Sequence, residues 1–142
     1  MQNGVTIVGA ALIFEDSKLL LLDNLNYRKR GEPYMGPPGG KVSKGEDILR
    51  CIKREAKEET NLDVIVEELI GISEFGLIDG KHQVHSYLCN EIGGEIKIME
   101  PEKTGSIQRY TLDDLRVMYN DKILVNSLRD LYEKELLQRR MQ

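Results

Sequence analysis

Apolar residues fall in short blocks along this chain, most of them separated by polar or glycine-containing turns. Val5 to Phe14 is β-branched and apolar and predicts a strand, and Lys18 to Leu22 predicts a second after a Glu15-Asp16-Ser17 turn. Asn24 to Gly36 reads as a polar loop. Asp63 to Phe75, His82 to Ile92 and Glu95 to Met99 predict further strands, divided by turns at Gly76 to Gly80 and at Gly93-Gly94. Ser106 to Tyr110 reads as a short strand and Leu112 to Leu115 as a helical turn. Leu124, Leu128, Leu131, Tyr132 and Leu136 recur at i, i+4, i+7, i+8 and i+12, so a last helix is expected, capped by Asn120 or Asp121. Strands alternating with two substantial helices imply an α/β domain whose mixed sheet is covered on both faces.

The other helix, around residues 48–60, breaks the usual rule for a solvated face. At about 100° per residue, with Glu55 at zero, Ile48, Ile52, Ala56 and Leu49 fall at roughly 20° to 120° and should meet the core. Arg50, Lys53 and Lys57 fall opposite, on the solvent side. Glu59 lies inside the apolar arc, Glu55 at its edge and Glu58 just beyond, so the carboxylates continue the buried stripe instead of opposing it. Like charges at i,i+3 and i,i+4 cost about 0.2–0.5 kcal/mol per pair. Acids near a helix C-terminus oppose the macrodipole by about 0.3–1 kcal/mol each when exposed. Such a local violation points to function, and a hard divalent cation, which takes carboxylate, carbonyl and phosphate oxygens, would relieve it.

The loop before this helix, Met35 to Gly45, suits an approach to phosphate. Pro37 and Pro38 fix φ, while Gly39 and Gly40 allow positive φ and let bare backbone come close to a ligand. Glu46 or Asp47 opens the helix, where free amides and the dipole favour a carboxylate. Arg54 can pair with Glu58 at i,i+4.

Gly40, Glu46, Arg54, Glu55, Glu58, Glu59 and Leu62 match the pattern G-x5-E-x7-R-E-U-x-E-E-x-G-U, with U apolar, and the stretch thereby resembles the Nudix box. Six fixed polar or glycine positions would coincide by chance in on the order of one window in ten million. Asn61 stands where the box has its late glycine. Glycine there would end the helix with positive φ, and asparagine is the next most tolerant residue for that conformation, so no ligand or proton carrier is lost.

The resemblance implies a Nudix-type α/β/α sandwich over residues 1–142 as a single domain, with magnesium as cofactor and manganese able to replace it. It implies metal ligation by Glu55, Glu58, Glu59 and the Gly40 carbonyl, with Arg54 holding the glutamates in orientation. The proton acceptor is then Glu55, Glu58 or an acid outside the box. Glu100-Pro101-Glu102-Lys103 resembles a segment that supplies such an acid in related enzymes, and Glu102 is preferred over Glu100. Lys41, beside Gly40, resembles the Gly-Gly-Lys of MutT-type enzymes and joins Gly39, Arg28 and Tyr34 as a candidate substrate contact. Phe75, Tyr87 and Tyr110 are further candidates for stacking on a base, whereas His82 and His85, three apart on a strand, point to opposite faces and make a poor metal pair.

Composition narrows the partners. A 142-residue chain with 40% hydrophobic and 31% charged residues reads as one soluble domain. A net charge of -4 provides no global attraction to nucleic acid or anionic membranes, so an anionic substrate must be held locally. The first residues lack the features of a signal peptide, no apolar run approaches a membrane span, and Cys51 and Cys89 have no metal-ligand spacing, which together lead to an expectation of a reduced, cytoplasmic protein; the resemblance implies a small nucleotide substrate, and a monomer or homodimer is expected. Phe75 to Gly80 lacks the proline or tyrosine that often marks ADP-ribose and dinucleoside polyphosphate hydrolases some fifteen to eighteen residues beyond the box. The expectation is therefore hydrolysis of a nucleoside triphosphate, with 8-oxo-dGTP as the leading idea, to monophosphate and pyrophosphate. ADP-ribose or nucleotide-sugar cleavage and a non-catalytic nucleotide sensor are the alternatives.

Overall fold

A computed structural model describes residues 4–142. Its seven-stranded mixed sheet is organised by one long strand, β1 (Val5–Glu15). Val5 to Ile13 of β1 run parallel to β6 (Gly80–Gly93), which forms an antiparallel hairpin with β5 (Asp63–Leu77). On its other side β1 pairs first with β4 (Gly39–Lys41) and then, at Phe14 and Glu15, with β2 (Lys18–Asn24). β2 in turn carries β3 (Met35–Gly36) and β7 (Thr104–Tyr110).

The period of two in β1 and β2 decides which layer each side chain enters. Ala11, Ile13 and Leu20 pack with Ile52 and Ala56 of α2 (Ile48–Thr60) on one face. Leu12, Leu19 and Leu21 pack with Leu115, Leu128 and Leu131 of α3 (Leu112–Asn120) and α4 (Asn126–Glu133) on the other. Both faces of these strands are covered, which is why their sequences are almost continuously apolar. The α/β/α sandwich expected from the sequence is the architecture observed. No helix among the described residues is long and apolar enough to cross a membrane.

Five local expectations are corrected. The loop from Asn24 to Gly36 contains a short helix, α1 (Leu25–Lys29), capped by the Asn24 side chain on the Tyr27 amide, and then β3. Glu95 to Met99 is not a strand: it has no sheet edge to join and is tied instead to the end of α2, through Lys97 N–H to the Thr60 carbonyl and Asn61 Nδ2 to the Glu95 carbonyl, each 3.0 Å. Leu112 to Leu115 extends into all of α3 because Thr111 and Asp114 form a reciprocal capping box. Asn120 and Asp121 consequently end α3, and α4 begins after Val125 without a side-chain cap. Leu49, placed in the apolar arc of α2, is exposed; Cys51 is buried instead, which centres the buried arc closer to Glu55 and Glu59.

Asn61 ends α2 in the left-handed conformation, at φ 68° and ψ 11°, and its amide group reaches the Glu95 carbonyl. Asn61→Gly should therefore change stability by only a few tenths of a kcal/mol, roughly balancing backbone freedom against one exposed hydrogen bond. Asn61→Val should lose about 1 kcal/mol or more to the left-handed penalty, and urea unfolding of the two variants checks the difference.

Candidate active site

Bare backbone makes the floor of the site. Gly39 and Gly40 pair with Ala10 and Gly9 of β1, and neither adopts positive φ; the left-handed glycine of this loop is Gly45. Their lack of a side chain serves close approach instead. A Cβ on Gly39 would run into the Gly9 carbonyl oxygen, and one on Gly40 into the Glu55 carboxylate. Gly9 is equally constrained, since a Cβ there would lie 2.8 Å from Ile52 Cγ1. Gly9 and Gly40 let α2 settle onto β1 and β4, and Gly39 lets β4 close onto β1.

Arg54 holds the acids above this floor. Its Nε and Nη2 bind both oxygens of Glu46 at 2.7 and 3.0 Å, while Nη1 reaches Glu55 at 2.9 Å and Glu58 at 3.1 Å. Nη2 also approaches the Lys41 carbonyl and Ser43 Oγ at 3.4 Å, tying helix to loop. Two parallel bonds to Glu46 give the guanidinium a fixed plane. The Arg54 bonds, helped by the Ser43 amide, hold the Glu46 carboxyl down at about 2, and Glu46 in return raises Arg54 further above its ordinary value. The bidentate partner is therefore Glu46, with Glu55 and Glu58 each receiving a single bond.

Glu59 points inward beside Glu55. The Gly39 amide donates to its Oε1 at 3.1 Å. Burial first, and then the hydrogen-bonded Glu55 carboxyl, push the Glu59 carboxyl up to about 9 despite that amide, with Glu100 adding to the shift. Two carboxyl groups in contact at the edge of a cavity offer the oxygen ligands that suit a hard divalent cation. Glu58 is more exposed and lies on the Arg54 side, so the described residues hold no three acidic, histidine or cysteine side chains converged on one point. The Gly40 carbonyl accepts a long bond from the Cys51 thiol at 3.5 Å, which leaves its second lone pair for a cation.

Glu55 and Glu59 open into a cavity of about 790 Å³, large enough for a nucleotide. Its wall brings together Lys41 and Tyr34, anticipated as substrate contacts, with Phe75 and Glu100. Glu102 is not in the wall: Lys103 and Thr104 amides both bond back to the Glu100 carbonyl, so the chain turns at once and carries Pro101 and Glu102 outward. Nor does Arg28 line the cavity. It binds Asp23 at 3.1 Å and the Tyr34 hydroxyl at 2.9 Å, and lies 4.3 Å from the centre of the Tyr34 ring, so it braces that ring from behind. Tyr87 and Tyr110 lie outside the wall, in contact with the two cores. Sequence reasoning missed His82, Asn26, Asn126 and Ser127, which line the cavity from separate elements and share no local motif.

Comparison with known proteins agrees with this geometry. The NUDIX domain family matches residues 5–134. An ADP-ribose pyrophosphatase of Methanocaldococcus jannaschii is 33% identical over 97 residues, covering 65% of this chain and 54% of that protein. An 8-oxo-dGDP phosphatase of Homo sapiens is 32% identical over 107 residues, covering 75% of this chain and 32% of that one. The chain spans between 32% and 63% of the length of the first three curated relatives it matches. The MutT protein of Methanosarcina mazei Go1 superposes with a TM-score of 0.75 at 22% identity, over 98% of this chain and 96% of its own, and so shares the fold. The box residues, the sandwich and the family match together make this chain a member of the Nudix hydrolase family.

Proposed function

We propose that the chain hydrolyses the phosphoanhydride of a nucleoside triphosphate or a related nucleoside diphosphate derivative, with oxidised purine nucleotides such as 8-oxo-dGTP as the favoured class and monophosphate plus pyrophosphate as products. The observation that carries this reading is the contact between the Glu55 and Glu59 carboxyls at the mouth of a nucleotide-sized cavity that also holds the Lys41 ammonium. Magnesium, or manganese in its place, would neutralise phosphate charge and activate water there. Glu55, Glu59, Glu58 and the Gly40 carbonyl are the groups to hold it. Arg54 keeps Glu55 and Glu58 aimed while Glu46 fixes the guanidinium.

The proton acceptor must come within hydrogen-bond reach of the attacking water, which leaves Glu55, Glu58 or a loop acid. Glu100 is a better loop candidate than Glu102, because it lines the cavity and acts on Glu59 through space. Lys41, with no carboxylate within salt-bridge distance among the described residues, is free to meet a phosphate. Tyr34, with Arg28 behind it, offers an aromatic surface to the base. An oxidised-nucleotide substrate draws support from the similarity to an 8-oxo-dGDP phosphatase, and the ADP-ribose alternative from the similarity to an ADP-ribose pyrophosphatase.

Removing a carboxylate separates function from stability. Glu58→Gln and Glu59→Gln should each lower turnover by several orders of magnitude at saturating magnesium. Without metal, the folded protein takes up a proton at Glu59 that the unfolded chain, near its ordinary 4.5, does not hold at neutral pH. Stability should then fall as pH rises from about 4.5 towards about 9, and Glu59→Gln should flatten that fall. Thermal melts across this range in chelator, with and without the substitution, check the sign. Wild-type turnover in either glutamine variant would remove that residue from the site.

Substrate class is resolved by products. Incubation with 8-oxo-dGTP, dGTP and ADP-ribose in water enriched in heavy oxygen should give monophosphate and pyrophosphate from the triphosphates, with the label marking the phosphorus attacked. Cleavage of ADP-ribose to AMP and ribose phosphate, with triphosphates intact, would transfer the same site to the alternative substrate.

A further inference from the structure

One wall of the cavity carries a polar group that the reaction does not use. His82 is only 8% exposed, yet it lines the cavity together with Phe75, Leu77 and Val84, an otherwise apolar surface. Its Nε2 lies 2.9 Å from Oδ1 of Asp79, at the exposed turn of the β5–β6 hairpin. A carboxylate can only accept, so a ring proton sits on Nε2, and in the uncharged ring that tautomer leaves Nδ1 as an acceptor. Nδ1 has no partner among the described residues, and it is not among the atoms sealed from water. The β-register fixes its distance from the phosphate end. Val84 and Lys41 flank Val8 on opposite sides, and His82 lies two residues along β6 from that level, so its backbone is about 7 Å along the strands and about 10 Å across them from that of Lys41.

We infer that His82 is a specificity-determining residue, whose Nδ1 accepts a hydrogen bond from an N–H on the edge of the substrate's base. The inference rests on the nucleotide reading above. A lone pair in an apolar wall favours a base edge that presents a donor and repels one that presents another acceptor, so it discriminates in both directions. Oxidation of a purine to its 8-oxo form creates such a difference, replacing the N7 lone pair by N7–H. Guanine and hypoxanthine differ as well, since the 2-amino donor of guanine is replaced in hypoxanthine by a C–H. Asp79 is a positioning residue, since it holds the tautomer without meeting substrate. The contact favours the Asp79 carboxylate, because the His82 bond lowers the Asp79 carboxyl below its ordinary value, with Lys41 contributing.

The test compares kcat/KM for 8-oxo-dGTP, dGTP, dITP and dATP at about pH 8, where an ordinary imidazole is neutral. The parent, His82→Phe and Asp79→Ala proteins are measured side by side. His82→Phe should lose roughly two- to twelvefold on the bases whose N–H is read and little on the others, so that the ranking of bases compresses. Asp79→Ala should move the ranking in the same direction by less. An unchanged ranking in His82→Phe, or an equal fall on all four nucleotides, would overturn the inference, since loss of packing alone does not sort bases. Nitrogen-15 spectra of the parent's histidine ring give a readout independent of turnover and of the variant's folding. The His82 Nδ1 resonance should start in the unprotonated range and shift towards smaller values when the preferred nucleotide binds in calcium. A resonance unmoved by a bound nucleotide would reject the hydrogen bond, whereas a shift without hydrolysis would sustain it and count against the catalytic reading alone.

Discussion

The site depends on how closely α2 can approach β1 and β4. Gly9 and Gly40 leave no side chain between the helix and the strands, where a Cβ would meet Ile52 or the Glu55 carboxylate, and Gly39 lets β4 lie against the Gly9 carbonyl of β1. That proximity lets the Gly39 amide reach Glu59 across twenty residues of sequence and sets Glu55 against the Gly40 backbone. A helix held even one side chain farther away would leave its carboxylates in solvent, with ordinary acidity and no shared cavity. Burial of Ile52 and Ala56 on the sheet supplies the apolar energy that holds the helix there.

Electrostatics in this small region divide into two regimes. On the outer side, Arg54 binds Glu46, Glu55 and Glu58, and its bonds hold the Glu46 carboxyl well below its ordinary value. On the inner side, Glu59 is buried against Glu55 with one amide as compensation, and burial beside that second carboxyl pushes Glu59 towards its protonated form. The same helix thus presents a neutralised face and an under-neutralised one. The second is the face that opens into the cavity, where a cation and a phosphate chain would complete the charge balance.

The rest of the cavity is assembled from elements far apart in the chain. Tyr34 follows α1, Lys41 ends β4, His82 lies on β6, Glu100 precedes β7, and Asn126 opens α4. Hydrogen bonds from Tyr34 N–H and Met35 N–H to the Ile123 carbonyl, and from Val125 N–H to the Met35 carbonyl, lock the first and last of these groups together. Arg28, anticipated as a ligand of phosphate, has its charge occupied by Asp23 and its plane set against Tyr34, so its contribution reaches the cavity only through that ring.

Local spacing alone determined the box helix, its acidic arc and its left-handed end, because helical angles and the tolerance of asparagine for positive φ act over a few residues. The same holds for the two-sided burial of β1 and β2, visible as continuous apolar runs. The capping box of Thr111 and Asp114 is likewise local, three residues apart in the sequence, and it sets the start of α3. Glu95 to Met99 shows the limit of periodicity: Ile96 and Ile98 alternate like a strand, but a strand exists only where another edge accepts its hydrogen bonds, and here none does. Glu100 and Glu102 are equally acidic in the sequence, and only the turn that follows Glu100 decides which faces the cavity. His82 carries no motif at all; its burial, its Asp79 partner and its place in the wall follow from the register of β6 against β1 and from the hairpin that ends β5. Such pairings are fixed by the whole sheet, so residues distant in sequence become one site only in the tertiary structure.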